Sequence, residues 1–354
     1  MNQAEHAFID VGVESPGALG LRIAGVLGRR VRSLAYQIGR GLLGLMGVVV
    51  VLGVSGAVYE SVAEAADARA YPPPGQMVDV GGYRLHINCI GTGSPTVVID
   101  AGWGDSSGAW SSWVQSPVAS ATRVCTYDRA GMGYSESGPL PRNAERFAQE
   151  LHALLNGAGE PGPYVVVGHS MGGLTVRVFT HDYPADVAGV VLIDSMSPSG
   201  AKASNSDRTA ESDSHSFADW ALTLPARTGL LRLLSGPLDT YHGLAPERAN
   251  AYSAFSMRPG SFQAWLDEGK AMPQSFVQAG AVTSFGATPL IVLSRGLTKE
   301  PDAEWQRMQT EFLGLSSNSQ QLFADRSGHN VEIDQPEAAV GAIQKMIDLT
   351  RHGN

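Results

Sequence analysis

Cysteine is nearly absent from this sequence: Cys89 and Cys125 are the only two in 354 residues. Two cannot build a disulfide scaffold, and they have neither the spacing nor the histidine company of a zinc site, so no structural metal is expected. Charge is sparse as well, at 17% of residues, and it leans acidic, with a formal net charge of -9. That balance leaves no basic face for a phosphate backbone and argues against nucleic acid as a partner. Hydrophobic residues make up 43% of the chain, ordinary for a globular enzyme with a large core. The length fits one catalytic domain plus an appendage.

Long uncharged apolar runs are also scarce. There is one, residues 41–59, GLLGLMGVVVVLGVSGAVY, about the length a helix needs to cross a bilayer's hydrocarbon core. Arg22, Arg29, Arg30, Arg32 and Arg40 precede it and Glu60, Glu64 and Asp67 follow, a bias that puts residues 1–40 in the cytoplasm and the rest outside. A cleaved signal peptide is the alternative, with small-residue sites at Ser55-Gly56-Ala57 and in AEAADARA, in which case the protein is secreted. The segment ahead of the run is long for a signal n-region, which favours a retained anchor. Residues 60–74, ending in Tyr71-Pro72-Pro73-Pro74, read as an extended, stiff linker.

From Gly75 the chain alternates short β-rich runs with helical stretches: QMVDV, YRLHINCI, PTVVIDAG, RVCTYDRAG, YVVVGHS, AGVVLIDS, PLIVLSR and QQLFADR. Several are continuously apolar, as strands covered on both faces must be, which predicts a mostly parallel sheet between helical layers. Gly81-Gly82 between the first two runs predicts an antiparallel start. Residues 196–288 break the alternation. They open with the polar SPSGAKASNSDRTAESDSHS and continue with FADWALTL, GLLRLLSG and FQAWLDEG, read as short helices of an inserted cap. The core is then 75–195 and 289–354.

Two residues stand out for chemistry. Ser170 lies in Gly168-His169-Ser170-Met171-Gly172, between the apolar strand YVVV and a helical stretch. A tight strand-to-helix turn of this kind presents a serine at the edge of a sheet and tolerates only small neighbours. A serine hydroxyl needs a base to take its proton, and the base is expected after a late strand. His329, in Ser327-Gly328-His329-Asn330 after QQLFADR, is placed there, followed by Asp334-Gln335-Pro336 at the start of a last helix. His6, His152, His181 and His352 fit worse, lying ahead of the anchor, in helices or at the terminus.

Together PPPGQMVDVGGYRLHINCIGTGSPTVVIDAGWG, CTYDRAGMGYS, PYVVVGHSMGGL, VAGVVLIDS and SGHNVEIDQPE resemble the α/β-hydrolase superfamily, specifically its membrane-anchored bacterial esterase-like members, over about residues 72–350. The resemblance implies an eight-stranded, mostly parallel sheet with a helical cap after the sixth strand. It also implies an oxyanion hole from the backbone N–H groups of Trp103 and Met171. The triad acid usually follows the seventh strand, where PLIVLSRGLTKEPDAEW departs from the common pattern. Asp194, after the sixth strand, is the alternative position used by some members and is favoured here over Asp302 or Glu300. Asp128 to Ser135 resembles a structural turn that braces the loops around the site. Cys89 and Cys125 fall on strands the fold makes neighbours, as either a disulfide or two buried thiols.

These readings converge on a serine hydrolase acting on a carboxylic ester or related acyl bond, with no cofactor and a small apolar substrate. Serine at the elbow argues against the epoxide hydrolase and haloalkane dehalogenase chemistries, which form an ester on an enzyme carboxylate. Peptidase and cofactor-free haloperoxidase chemistry stay open on the same triad, as does a non-catalytic module binding a lipid or a partner protein. Apolar cap residues such as Trp220, Leu224, Phe255, Phe262 and Trp265 are candidates for the pocket wall or for packing of the cap itself.

Overall fold

The computed structural model describes residues 16–199, 214–235, 246–296 and 302–352. The chain divides into two units, Met1–Ala57 and Val58–Asn354. One helix, α1 (Pro16–Ala70), passes through the boundary. Among the described residues it alone is long and apolar enough, by length and composition, to cross a membrane.

The extended linker expected over 60–74 is corrected by the structure, because α1 stays helical to Ala70. Alanine and glutamate favour helix, and the helix stops where Pro72, Pro73 and Pro74 withdraw their backbone donors. The folded unit therefore starts at Val58 rather than Gly75. Glu60, almost fully buried, and Asp67 bind Arg232 of the cap at 2.8 and 2.7 Å, contacts a free linker would not make.

The second unit is built on eight strands: β1 (Gln76–Asp79), β2 (Arg84–Ile90), β3 (Thr96–Asp100), β4 (Val124–Tyr127), β5 (Tyr164–His169), β6 (Val187–Ile193), β7 (Leu290–Arg295) and β8 (Ser319–Ala324). They form one sheet in the order β1-β2-β4-β3-β5-β6-β7-β8. β2 is antiparallel to both β1 and β4, and every later pair is parallel. The first hairpin follows the Gly81-Gly82 signal, and each apolar run read from the sequence supplies one strand.

Alternation along the strands separates two cores. On one face Val98, Val166, Val190 and Val292 pack beneath Phe147, Leu151 and Leu154 of α2 (Ala144–Ala158) and Leu174 and Phe179 of α3 (Gly172–Asp182). On the other, Val97, Val165, Val167, Val191 and Ile291 meet Trp110, Val114 and, from the C-terminal helix Pro336–His352, Ile343, Met346 and Ile347. Burial on both sides explains why the central strands are continuous valine, isoleucine and leucine rather than alternating with polar residues. Cys89 and Cys125 stand opposite each other in the β2–β4 register and form a disulfide, which decides between the bonded pair and two thiols.

Between β6 and β7 the chain leaves the sheet for the cap: α4 (Phe217–Arg227), α5 (Leu230–Ser235), α6 (Pro246–Ser256) and α7 (Pro259–Ala281). The short helix expected at FQAWLDEG is part of α7, 23 residues long. Most of the polar opening of the cap, and the candidate acid Glu300, lie outside the described residues. Beyond β7, α8 (Ala303–Glu311) leads towards β8, and α9 is the C-terminal helix Pro336–His352.

Candidate active site

At the end of β5 the backbone of Ser170 takes φ +50°, a left-handed conformation that non-glycine residues rarely adopt. Its flanking glycines are required by space. A Cβ on Gly168 would stand 2.7 Å from the carbonyl oxygen of Gly172, and one on Gly172 would stand 2.4 Å from that of Asp100. The turn so compressed hands the chain straight into α3. Asp194, the first residue after β6, has φ +40° and no solvent exposure.

These positions converge with the loop after β8. His329 Nε2 lies 2.9 Å from Ser170 Oγ, and His329 Nδ1 lies 2.6 Å from Asp194 Oδ2. In this arrangement Nδ1–H donates to the carboxylate, which leaves the Nε2 lone pair facing the serine hydroxyl, the tautomer a general base requires. Asp302, the other candidate acid within the described residues, is turned elsewhere: its carboxylate accepts from Arg295 Nη2 at 3.1 Å and from the Trp305 backbone N–H at 2.9 Å.

The alignment of known families agrees with this topology. A family model described as the α/β hydrolase fold matches residues 95–251, which run from β3 through the elbow into the cap. The chain has the α/β-hydrolase fold. Among curated proteins, the uncharacterized protein YqjL of Bacillus subtilis (strain 168) is 26% identical over 256 residues, 72% of this chain and 83% of its own length. Among solved structures, the epoxide hydrolase CorEH without ligand aligns with a TM-score of 0.58 at 20% identity, covering 77% of this chain and 98% of its own. A serine hydrolase involved in carbazole degradation, the CarC enzyme, aligns with a TM-score of 0.55, also at 20% identity, over 77% of this chain and 98% of its own.

Two turns meet beside Ser170, carrying Trp103 and Met171, the residues expected to supply an oxyanion hole. Gly102 lies so close to the elbow that a Cβ there would be 3.4 Å from Ser170 Cβ. The turn is gripped by Arg129, whose guanidinium donates to the carbonyls of Ala101 at 2.8 Å and Gly102 at 2.6 Å, to Asp100 Oδ1 at 2.7 Å and to Glu268 Oε1 at 2.7 Å. Because the C=O and N–H of a trans peptide point in opposite directions, fixing the Gly102 carbonyl on Arg129 fixes the Trp103 N–H away from it. Burial works against the Arg129 charge, but Glu268 and Asp100 outweigh it and hold its pKa above the usual arginine value. Thus the turn from Asp128 to Ser135, read as structural, braces the loop that carries Gly102 and Trp103, and α7 completes the brace through Glu268.

The Trp103 side chain joins the cap. Its ring stacks on Trp265 at 5.1 Å between centroids, its Nε1–H donates to the Trp265 carbonyl at 2.9 Å, and Phe262 also stacks on Trp265. Trp103 and Trp265 stay partly exposed, whereas Phe255 is buried against Tyr134. Of the apolar residues singled out in the cap, therefore, some pack it and some border the loop beside the serine.

Sequence reasoning missed His169, Glu332, Glu268, Arg295 and Trp305. The buried His169 donates from Nε2 to the backbone carbonyl of His329 at 2.9 Å and steadies the loop that carries His329, and burial lowers its pKa. Glu332 Oε2 lies 3.6 Å from that same Nε2. Burial pushes the Glu332 carboxyl up to about 7. His169 could have been suspected from its place in the elbow; the others touch the site only through contacts distant in sequence.

Proposed function

We propose that this protein is a serine hydrolase of the α/β-hydrolase superfamily that cleaves a carboxylic ester or related acyl bond through an acyl-enzyme. The observation that carries this reading is the continuous hydrogen-bonded relay from Asp194 through His329 to Ser170. In the first step His329 Nε2 takes the hydroxyl proton as Ser170 Oγ attacks the carbonyl carbon. The charge on the carbonyl oxygen is met by the N–H groups of Trp103 and Met171. The imidazolium, stabilised by Asp194, then protonates the departing alcohol. Water loses a proton to His329, attacks the acyl-enzyme and releases the acid, and Ser170 recovers its proton.

The partly exposed aromatic border of Trp103, Trp265 and Phe262 supports a small substrate with an apolar acyl or alcohol group. The arginines before the apolar part of α1, the acids after it and the Cys89–Cys125 disulfide together support a single-pass anchor with the hydrolase unit on the oxidising, extracytoplasmic side.

The test is hydrolysis of a p-nitrophenyl ester series by the full chain in detergent. Ser170→Ala and His329→Ala are expected to lower kcat by about 10,000-fold or more, and Asp194→Asn by roughly as much, because the amide would favour the wrong histidine tautomer. Full activity in Ser170→Ala would refute the reading.

A further inference from the structure

The carboxylate of Asp194 is enclosed by donors from the segment after β7, where the resemblance would have placed the acid. Its Oδ1 accepts the Trp305 indole N–H at 2.7 Å and the Arg295 backbone N–H at 3.1 Å. Its Oδ2 accepts Arg295 Nη1 at 3.2 Å beside His329 Nδ1 at 2.6 Å. The two clamping side chains hold each other, since the Arg295 guanidinium lies over the Trp305 ring, 4.4 Å from its centroid. Asp302 secures both, and Gln306 Nε2 donates to the Arg295 carbonyl at 2.8 Å. Trp305 also turns its ring edge-on to His329, at 5.6 Å and 89°.

A buried carboxylate is costly unless its charge is met and its lone pairs are filled. The loop and helix after β7 do this here. Resting on the serine hydrolase reading, we propose that Arg295 and Trp305 are positioning residues for the catalytic acid. Trp305 fixes the carboxylate plane so that Oδ2 faces His329, and Arg295 sets how much of the negative charge the imidazolium receives. The described residues of the region after β7 thus support an acid that follows β6.

The two residues have separable signatures. Trp305→Phe keeps the ring beside His329 but removes one donor to a charged acceptor, which is expected to slow turnover roughly tenfold and leave the pH profile in place. Arg295→Met removes a cation beside the triad. The imidazolium then becomes easier to form, and the acid limb of the profile moves about one unit to higher pH. Arg295→Lys keeps the charge and is expected to keep the limb. The other titratable groups around His329 remain in all three variants: Asp194, His169 from the elbow, Glu332 and Asp334 from the following turn, Asp302, and Asp105 beside His169.

The experiment is the rate of labelling of the full chain by a fluorophosphonate as a function of pH, which needs an activated serine but no knowledge of the substrate. Thermal melts identify any variant that fails to fold, and the three substitutions give independent readings. A slow Trp305→Phe with an unmoved limb, a moved limb in Arg295→Met and an unmoved one in Arg295→Lys support the clamp. Parental rates and an unshifted limb in folded Trp305→Phe and Arg295→Met would overturn it while leaving the serine hydrolase reading intact. A parent that is not labelled at all would overturn that reading, and the clamp with it.

Discussion

Ser170 and Asp194 share the left-handed backbone state, with φ +50° and +40°, and each departs from the comfortable conformation of its residue type at the end of a buried strand. Such strain costs on the order of 1–3 kcal/mol per residue and persists only where surrounding structure over-determines it. Here the sheet supplies that constraint, through Asp194 N–H to the Leu293 carbonyl and Ser170 N–H to that of Ile193. A second local cost lies at Glu332. Its folded pKa of about 7 stands above the ordinary 4.5, so the folded state holds a proton that the unfolded state has lost. Stability is therefore expected to fall as pH rises from about 4.5 to 7, by on the order of 3 kcal/mol for this group. Glu332→Gln is expected to flatten that slope and to raise the melting temperature at pH 8, measured by thermal melts of parent and variant across pH. At this scale Ser170 and His329 were legible because their motifs are local. Asp194 needed the family resemblance to single it out. Arg295 and Trp305 were invisible because their partner is more than 100 positions away, and nothing in the residues beside them records it.

Among the elements, the strands were the most legible. Burial on both faces leaves uninterrupted apolar runs, and each one became a strand. Two helices were misjudged for opposite reasons. The proline-rich end of the 60–74 segment suggested an extended linker, but three prolines stop a helix without preventing the alanine-rich stretch before them. In α7, Pro259 sits at the start and Pro273 inside, and the tertiary contacts of Ala264, Glu268, Ala271 and Ser275 sustain a long helix that local pattern did not reveal. The junction that matters most is between α7 and the loop after β3, where the buried Arg129 joins Asp100 to Glu268. Arg129→Met would strand two buried carboxylates, at an expected cost of about 3–5 kcal/mol. Its melting temperature should fall sharply, whereas Arg84→Met, which breaks the exposed pair with Glu136, should change it little. Comparable melts for the two variants would contradict the brace.

For the whole molecule, an apolar helix precedes a unit of the α/β-hydrolase fold whose first residues are already engaged by its own cap. Arg232 on α5 holds both Glu60 and Asp67, so the last turns of α1 belong to the fold that follows. The disulfide ties antiparallel β2 to β4, at the side of the sheet away from the cap insertion between β6 and β7. The large-scale order of apolar helix, core and cap could be read from composition and periodicity. The starting point of the fold could not, since it depends on ion pairs across more than 160 residues. The central claim is that Ser170 is an activated nucleophile, and its most direct test is mass spectrometry of the full chain after treatment with a fluorophosphonate. The expected result is one adduct, on the peptide carrying Ser170, that disappears in His329→Ala; no adduct on the folded parent, or an adduct on another residue, would contradict it.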